Sequence, residues 1–267
     1  MIIKDIDKCK SFDWGKTSAD YAKYRDIYPQ EFFDYILSLG LCRDGQKVLD
    51  LGTGTGVLPR GMYRYGADWT GTDIAENQIE QANELAASAG MDIRFFASRA
   101  EEVSFPDNTF DVITACQCIW YFDHDRTASR FAGMLKPGGR FLILYMGWLP
   151  YEDPIAGKSE ELILKHNPDW TAYGDTVHPV WVPEQYLAYF SLLSQKEFRV
   201  DIPFSRESWH GRMRACRGVG ASMSPEVLAA WDREHMEMLS ENAPDQFTVK
   251  HYVSVADLQV KKGSHEN

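Results

Sequence analysis

The sequence predicts an α/β fold, a doubly wound and mostly parallel sheet of seven strands with helices on both faces. Three observations predict it. From residue 46 to 146, apolar runs of strand length alternate with segments of helical period. A glycine-rich turn, GTGTG at 52–56, directly follows the first of those runs. Two later strand patterns, at 196–204 and 246–260, complete the sheet, the last of them antiparallel.

In chain order, QKVLDL (46–51) is a short apolar run and reads as a buried strand. VLPRGMYRYG (57–66) has helical spacing and stops at Gly66. DWTGTD (68–73) is a second strand, and AENQIEQANELAASAG (75–90) a helix with Ile79, Ala82, Leu85 and Ala89 on one face. MDIRFFA (91–97) and FDVITACQ (110–117) are further strands, separated by the turn chemistry of PDNT at 106–109. Asp123 caps a helix running to Leu135; KPGG (136–139) turns the chain into a fifth strand, RFLILYM (140–146). Residues 148–195, rich in Trp, Tyr and Pro, read as an inserted cap of short helices. SPEVLAAWDREHMEMLSEN (224–242) is a helix with Ser224 as cap, Pro225 at its first turn, and a stripe of Leu228, Trp231, His235 and Leu239. The expected organisation is N-terminal lid helices (1–45), a ligand-binding core (46–147), the inserted cap (148–195), and the remainder of the core sheet with an acceptor-site segment (196–267).

Composition narrows the partners. The chain has 267 residues, of which 44% are hydrophobic and 25% charged, the balance of a globular protein. Lys plus Arg is 28 against 39 for Asp plus Glu, a net charge of −11, which repels phosphate backbones and argues against nucleic acid. No apolar run approaches the roughly 18–20 residues of a membrane span, and the charged N-terminus is not a secretory leader. Five cysteines, Cys9, Cys42, Cys116, Cys118 and Cys216, are expected as free thiols in a reducing cytoplasm. None stands at zinc spacing, so no metal is expected; Cys116 and Cys118 read as small core or pocket residues.

Glycine at a strand-to-helix turn serves a backbone at positive φ or in close approach to a ligand. Gly52 and Gly54 match the first two positions of the dinucleotide fingerprint, but its third position is Val57; the third glycine is Gly56. That counts against a nicotinamide or flavin pyrophosphate. Asp73 ends the second strand 21 residues after Gly52, where a carboxylate accepts hydrogen bonds from both hydroxyls of a ribose.

VLDLGTGTG, GTDIA (71–75), AEEVSFPDNTFDVI (100–113) and LKPGGRFLI (135–143), in this order, resemble the class I S-adenosylmethionine-dependent methyltransferases. Among them the chain is similar to the small-molecule group that includes the trans-aconitate and ubiquinone/menaquinone-pathway enzymes. The resemblance implies a Rossmann-like sheet, S-adenosylmethionine as cofactor, and methyl transfer to a small-molecule acceptor. It implies that Gly52, Thr53, Gly54 and Gly56 pass the backbone under the donor, and that Asp50 holds the loop and faces the donor's amino group. Asp73 would bind the ribose and Ile74 pack on adenine. Ala100 and Glu101, with Ser98, would meet the adenine edge, and Gln117 would lie near the methyl donor. Arg99 stands where relatives often carry an acid, and Trp120 where some carry a histidine. The stretch TSADYAKYRDIYPQEFF (17–33) resembles the family's lid helix, with Tyr21 and Arg25 facing the ligand.

Methyl transfer from a sulfonium needs alignment and exclusion of water, and a base only for an acceptor still protonated at attack. His124 and His210 are the candidate bases. Trp120, Trp148 and Trp181 are candidate acceptor walls; tryptophans in a cap equally serve as its core. Arg214 and Arg217, in ESWHGRMRACRGVGAS (207–222), read either as a site for an anionic acceptor group or as a solvated face paired with acids. A fold that binds the donor without transferring methyl is the alternative reading. The sequence does not specify an oligomeric state.

Overall fold

The computed structural model describes residues 6–24 and 27–261. Its strands are β1 (Lys47–Leu51), β2 (Asp68–Asp73), β3 (Arg94–Ala97), β4 (Phe110–Cys116), β5 (Leu135–Trp148), β6 (Phe190–Ser205) and β7 (Gln246–Val260). They form one sheet in the order β3-β2-β1-β4-β5-β7-β6. β3, β2, β1, β4 and β5 pair in parallel, and the C-terminal pairing is antiparallel. The chain therefore winds outward from β1 in one direction and returns to its other side at β4. The crevice beyond the carboxyl ends of β1 and β4 is the switch point, where ligands bind in open sheets of this kind.

The described helices are α1 (Ser18–Tyr24), α2 (Gln30–Ser38), α3 (Val57–Met62), α4 (Glu76–Ser88), α5 (His124–Met134), α6 (Pro154–His166), α7 (Glu184–Tyr189), α8 (Arg206–Arg214) and α9 (Pro225–Asn242). Local chemistry explains several ends. The Asp123 carboxylate accepts from the Arg126 N–H to cap α5, and Ser224 does the same for α9 from Val227. Ser205 and Ser208 form a reciprocal capping box at α8.

The structure differs from the sequence reading at KPGG. Residues 136–139 do not separate α5 from the fifth strand; β5 begins at Leu135 and carries them as an irregularity. The register jumps from Phe110↔Leu135 to Val112↔Arg140, so the extra residues bulge while the ladder continues. β3 starts at Arg94 rather than at residue 91, and β6 starts at Phe190 rather than at 196.

The chain divides into two compact units. The first comprises residues 1–27, 147–177 and 199–252. It holds α1, α6, α8 and α9. Gly211 in α8 admits the Tyr24 ring of α1, which a Cβ there would meet at 2.2 Å. Buried Arg217 pairs with buried Asp7 at 2.7 Å, and Arg214 pairs with Asp20 at 3.0 Å and with Asp232. The second unit comprises residues 28–146, 178–198 and 253–267. The expected insert at 148–195 is thus shared between the units. In the second unit α7 packs on α5: Thr127 donates to the Asp123 carbonyl, so its oxygen accepts from the Tyr186 hydroxyl at 2.7 Å. Phe131, Phe141 and Phe190 surround that phenol, and burial pushes its pKa up. Tyr186→Phe is expected to cost about 1 kcal/mol, read as a shift of the urea midpoint without a change of slope.

Candidate donor site at the carboxyl edge of the sheet

The loop after β1 is left-handed at each glycine: Gly52 has φ +61°, Gly54 +58° and Gly56 +74°. A Cβ at Gly52 would lie 2.8 Å from the Cys118 side chain, and one at Gly56 would lie 2.5 Å from the Phe95 ring. At both positions the close neighbour is the protein's own side chain. Gly54 is different: its N–H donates to Asp73 Oδ2 at 2.9 Å.

That bond fixes the acid at the end of β2. Asp73 Oδ1 accepts from the Ala75 N–H at 2.9 Å, and the Ile74 N–H also points to the carboxylate. A carboxylate has about four acceptor positions, so these backbone donors do not exhaust it. Ile74 beside it is 41% exposed, an apolar side chain left at the crevice edge. Asp50, at the end of β1, is buried; Oδ2 accepts from Thr53 at 2.7 Å and Oδ1 from Thr114 at 2.6 Å. Desolvation outweighs those hydroxyls and pushes the Asp50 carboxyl up to about 7, and it raises Asp73 as well. Among the described residues no cation offsets either acid. Two desolvated carboxyls, one of them held by backbone donors, suit a ligand carrying both a positive charge and a diol.

Gln117 follows β4 with φ +59°, a left-handed conformation that costs a residue with a side chain of order 1–3 kcal/mol. Its N–H donates to the Leu144 carbonyl at 2.8 Å and its amide to the Tyr28 hydroxyl at 3.3 Å. Tyr28 also meets the Cys116 thiol at 3.1 Å and stacks on Phe32 at 4.7 Å. The sequence reading placed its weight on Tyr21 and Arg25; the Tyr21 side chain and Arg25 lie outside the described residues. Tyr28 belongs to the same Tyr-rich stretch, and its tyrosine-proline step was the available signal. Cys118 is buried, its thiol on the Leu51 carbonyl at 3.1 Å.

On the far side of Asp73, Ser98 N–H donates to the Asp73 carbonyl at 2.8 Å and holds the segment from Ser98 to Glu101 in place. Its hydroxyl donates to the Arg99 carbonyl at 3.2 Å. Ala100 is buried. Glu101 accepts from the Asp123 N–H at 2.9 Å, so its carboxylate ties this segment to the start of α5. Arg99 is held near Glu101 and Glu102.

The candidate bases and acceptor walls fall into different places. His124 lies at the first turn of α5, edge-on to Trp181 at 5.2 Å and to Tyr186 at 5.6 Å. Its Nδ1 is buried with no hydrogen-bond partner among the described residues, and burial lowers its pKa. Trp181 is 53% exposed, whereas Trp120 is half-buried against Tyr121 and Tyr145. His210 and Trp148 belong to the first unit. Ser159 donates to the Ile155 carbonyl, so its oxygen accepts from the Trp209 indole and from His235 Nε2. His235 Nδ1 is then the acceptor of the His210 Nδ1 proton at 2.9 Å, and His210 Nε2 faces Asp232 at 3.2 Å. Burial lowers both rings, His235 to about 3. His210 is thus a member of a buried relay across α6, α8 and α9. The Trp148 indole donates to buried Glu160 at 2.7 Å, under the Arg212 guanidinium. Arg214 and Arg217 are both matched by acids of their own unit, but buried Arg217 does not lie on a solvated face.

A model of the methyltransferase domain matches residues 49–143. The uncharacterized methyltransferase YcgJ of Bacillus subtilis is 35% identical over 144 residues, covering 53% of this chain and 56% of the relative. The ubiquinone biosynthesis O-methyltransferase of Bartonella bacilliformis is 35% identical over 130 residues, covering 48% and 52%. The chain spans about half the length of these curated relatives. Among solved structures, YcgJ of Bacillus subtilis aligns with TM-score 0.51 at 20% identity over 88% of this chain and all of that one. The MccD protein aligns with TM-score 0.52 at 18% identity over 86% and 97%. These two likenesses speak to the fold. No described helix is long and apolar enough to cross a membrane, and no group of three described His, Cys, Asp or Glu side chains stands ready to hold a metal. Residues 49–143, which hold the glycine loop and the acid at the end of β2, match the methyltransferase domain, and the curated relatives that the chain resembles there are methyltransferases.

Proposed function

We propose that the chain binds S-adenosylmethionine across the carboxyl ends of β1, β2 and β4 and transfers its methyl group to a small-molecule acceptor. The observation that carries the reading is the pair of uncompensated carboxyls, Asp50 and Asp73, placed on either side of the Gly54 N–H. Asp73 accepts from the two ribose hydroxyls through the capacity its backbone bonds leave. Asp50 faces the donor's ammonium group, Ile74 covers one face of adenine, and the segment from Ser98 to Glu101 bounds its edge. Gln117 and Tyr28 border the end of β4. When bound, the donor supplies an activated methyl group, and the chain's work is to orient the acceptor and exclude water.

The net charge of −11 supports a small molecule rather than a nucleic acid as acceptor. The matched charges of Arg214 and Arg217 give no support to an anionic group on it.

Asp73→Ala is expected to weaken S-adenosylmethionine binding by about 1.5–3 kcal/mol, roughly ten- to a hundredfold in Kd, by calorimetric titration. Wild-type protein, stripped of co-purified ligand, should bind S-adenosylmethionine and not NAD. Binding of NAD alone, or an unchanged Kd in the variant, would sink the donor assignment.

A further inference from the structure

Within the first unit, α6, α8 and α9 meet at two imidazole rings that the methyl-transfer reading does not use. His210 of α8 and His235 of α9 face each other Nδ1 to Nδ1 at 2.9 Å. The Trp231 indole stacks on both, at 4.5 Å and 15° from His235 and at 5.2 Å and 19° from His210. His235 and Trp231 are fully buried. The hydrogens of the pair can be counted. Ser159 of α6 donates to the Ile155 carbonyl and so accepts from His235 Nε2 at 3.0 Å. With its hydrogen on Nε2, neutral His235 offers a lone pair at Nδ1, and the one hydrogen between the rings belongs to His210. An added hydrogen on His235 Nδ1 would set two N–H groups head to head across 2.9 Å. The contact would turn from attractive to repulsive, and one ring would have to move.

We propose that this pair is an acid-released latch of the first unit. One hydrogen between the rings holds α8 against α9 and α6, and a second, taken up by His235 at Nδ1, parts them. α8 in turn carries α1, through the Tyr24 ring on Gly211 and the Arg214–Asp20 pair at 3.0 Å. Release of α8 therefore loosens four helices of the unit together.

The groups facing the pair set where the latch opens. Asp232 of α9 lies 3.2 Å from His210 Nε2, and Asp20 of α1 stands beyond Arg214; both acids favour a charged His210. Arg214 of α8 opposes it, and a charged His210 opposes a charge on His235. Ser159 of α6 and the Trp209 and Trp231 indoles carry no charge. Desolvation outweighs the acids, so both folded rings hold an added proton less tightly than unfolded ones. A histidine depressed in this way lends stability that is present in full above the unfolded value of 6.5. That stability is lost as pH falls toward the folded value, about 3 for His235. The opening equilibrium should rise about tenfold per pH unit below 6.5 through His235 alone.

The test is hydrogen exchange of the ligand-free whole chain, read by mass spectrometry from about pH 7.5 to about pH 4.5 and corrected for the chemical exchange rate. Peptides from α8 and α9 are expected to lose protection about tenfold or more per pH unit below 6.5, while those from α4 in the second unit do not. His235→Gln offers an amide oxygen to the His210 hydrogen and an N–H to Ser159, and it cannot take up the added proton. It is expected to match wild type at neutral pH and to lose most of the slope. Wild-type protection that stays level down to about pH 4.5 overturns the latch. So does a slope that His235→Gln leaves intact. Should that variant fail to fold, His235→Asn, which puts an amide oxygen in place of Nδ1, must lose the slope in its stead, and a slope it retains overturns the latch equally. The wild-type profile decides against the proposal by itself wherever it is flat.

Discussion

Donor affinity is expected to climb about tenfold per pH unit below neutrality and to level off above pH 7, because Asp50 must lose a proton to meet the donor's ammonium group. Its carboxyl is pushed up to about 7, chiefly by burial, against the hydrogen bonds from Thr114 and Thr53. A cation placed beside it favours the charged form, so binding below that pH releases a proton. Between pH 7 and pH 5 the loss should reach about two orders of magnitude in Kd. Asp73, also raised by burial, adds to the slope with the same sign. The sign reverses for the ligand-free fold. The folded carboxyl, up from 3.8 to about 7, binds its proton more tightly than the unfolded one. The stability this gives is present in full below pH 3.8 and is lost as pH rises through about 7, by up to about 4 kcal/mol. Titrations in buffers of different ionisation heat read the released proton directly. Asp50→Asn should flatten the affinity slope while keeping the two threonine contacts possible. A wild-type Kd independent of pH over this range would show that Asp50 does not face the donor's charge.

Much of this site was legible because its chemistry is local. Asp50, the glycine loop and Asp73 lie on consecutive strand ends. Strand–turn–helix grammar places them together, and helix starts at Asp123 and Ser224 announce themselves by their caps. What could not be read depends on contacts distant in sequence. KPGG has turn residues, yet β5 runs through it because pairing with β4 on both sides of the bulge outweighs the local preference. Residues 178–195 were grouped with a cap by composition. Their allegiance to the core rests on Tyr186 finding Thr127, 59 residues away. Arg217 looked available to an anion because its partner, Asp7, lies 210 residues earlier.

The glycines themselves teach the same distinction. In sequence, three glycines in five residues suggest one cause, a ligand pressed against the backbone. The structure separates two of them from that cause. Phe95 lies against Gly56, where a Cβ would fall 2.5 Å from the ring, and against Gly71, where one would fall 2.6 Å from it. Gly56→Ala must therefore hold alanine at φ +74° and also displace a packed phenyl ring. The first costs about 1–2 kcal/mol and the second about 1–3, so a loss of about 2–5 kcal/mol is expected in urea unfolding. The two costs are separable. In a Phe95→Leu background the ring is gone, and Gly56→Ala should then cost only the backbone part, about 1–2 kcal/mol. If a ligand were what excludes a side chain at 56, the cycle would behave otherwise. Gly56→Ala would cost the same backbone amount, about 1–2 kcal/mol, in either background, and the folded Gly56→Ala protein would lose S-adenosylmethionine whether or not Phe95 was present. A coupling of more than about 1 kcal/mol between positions 56 and 95, with donor affinity retained in the double variant, assigns that glycine to the fold. It leaves Gly54, whose N–H holds Asp73, as the glycine of the loop that answers to the ligand.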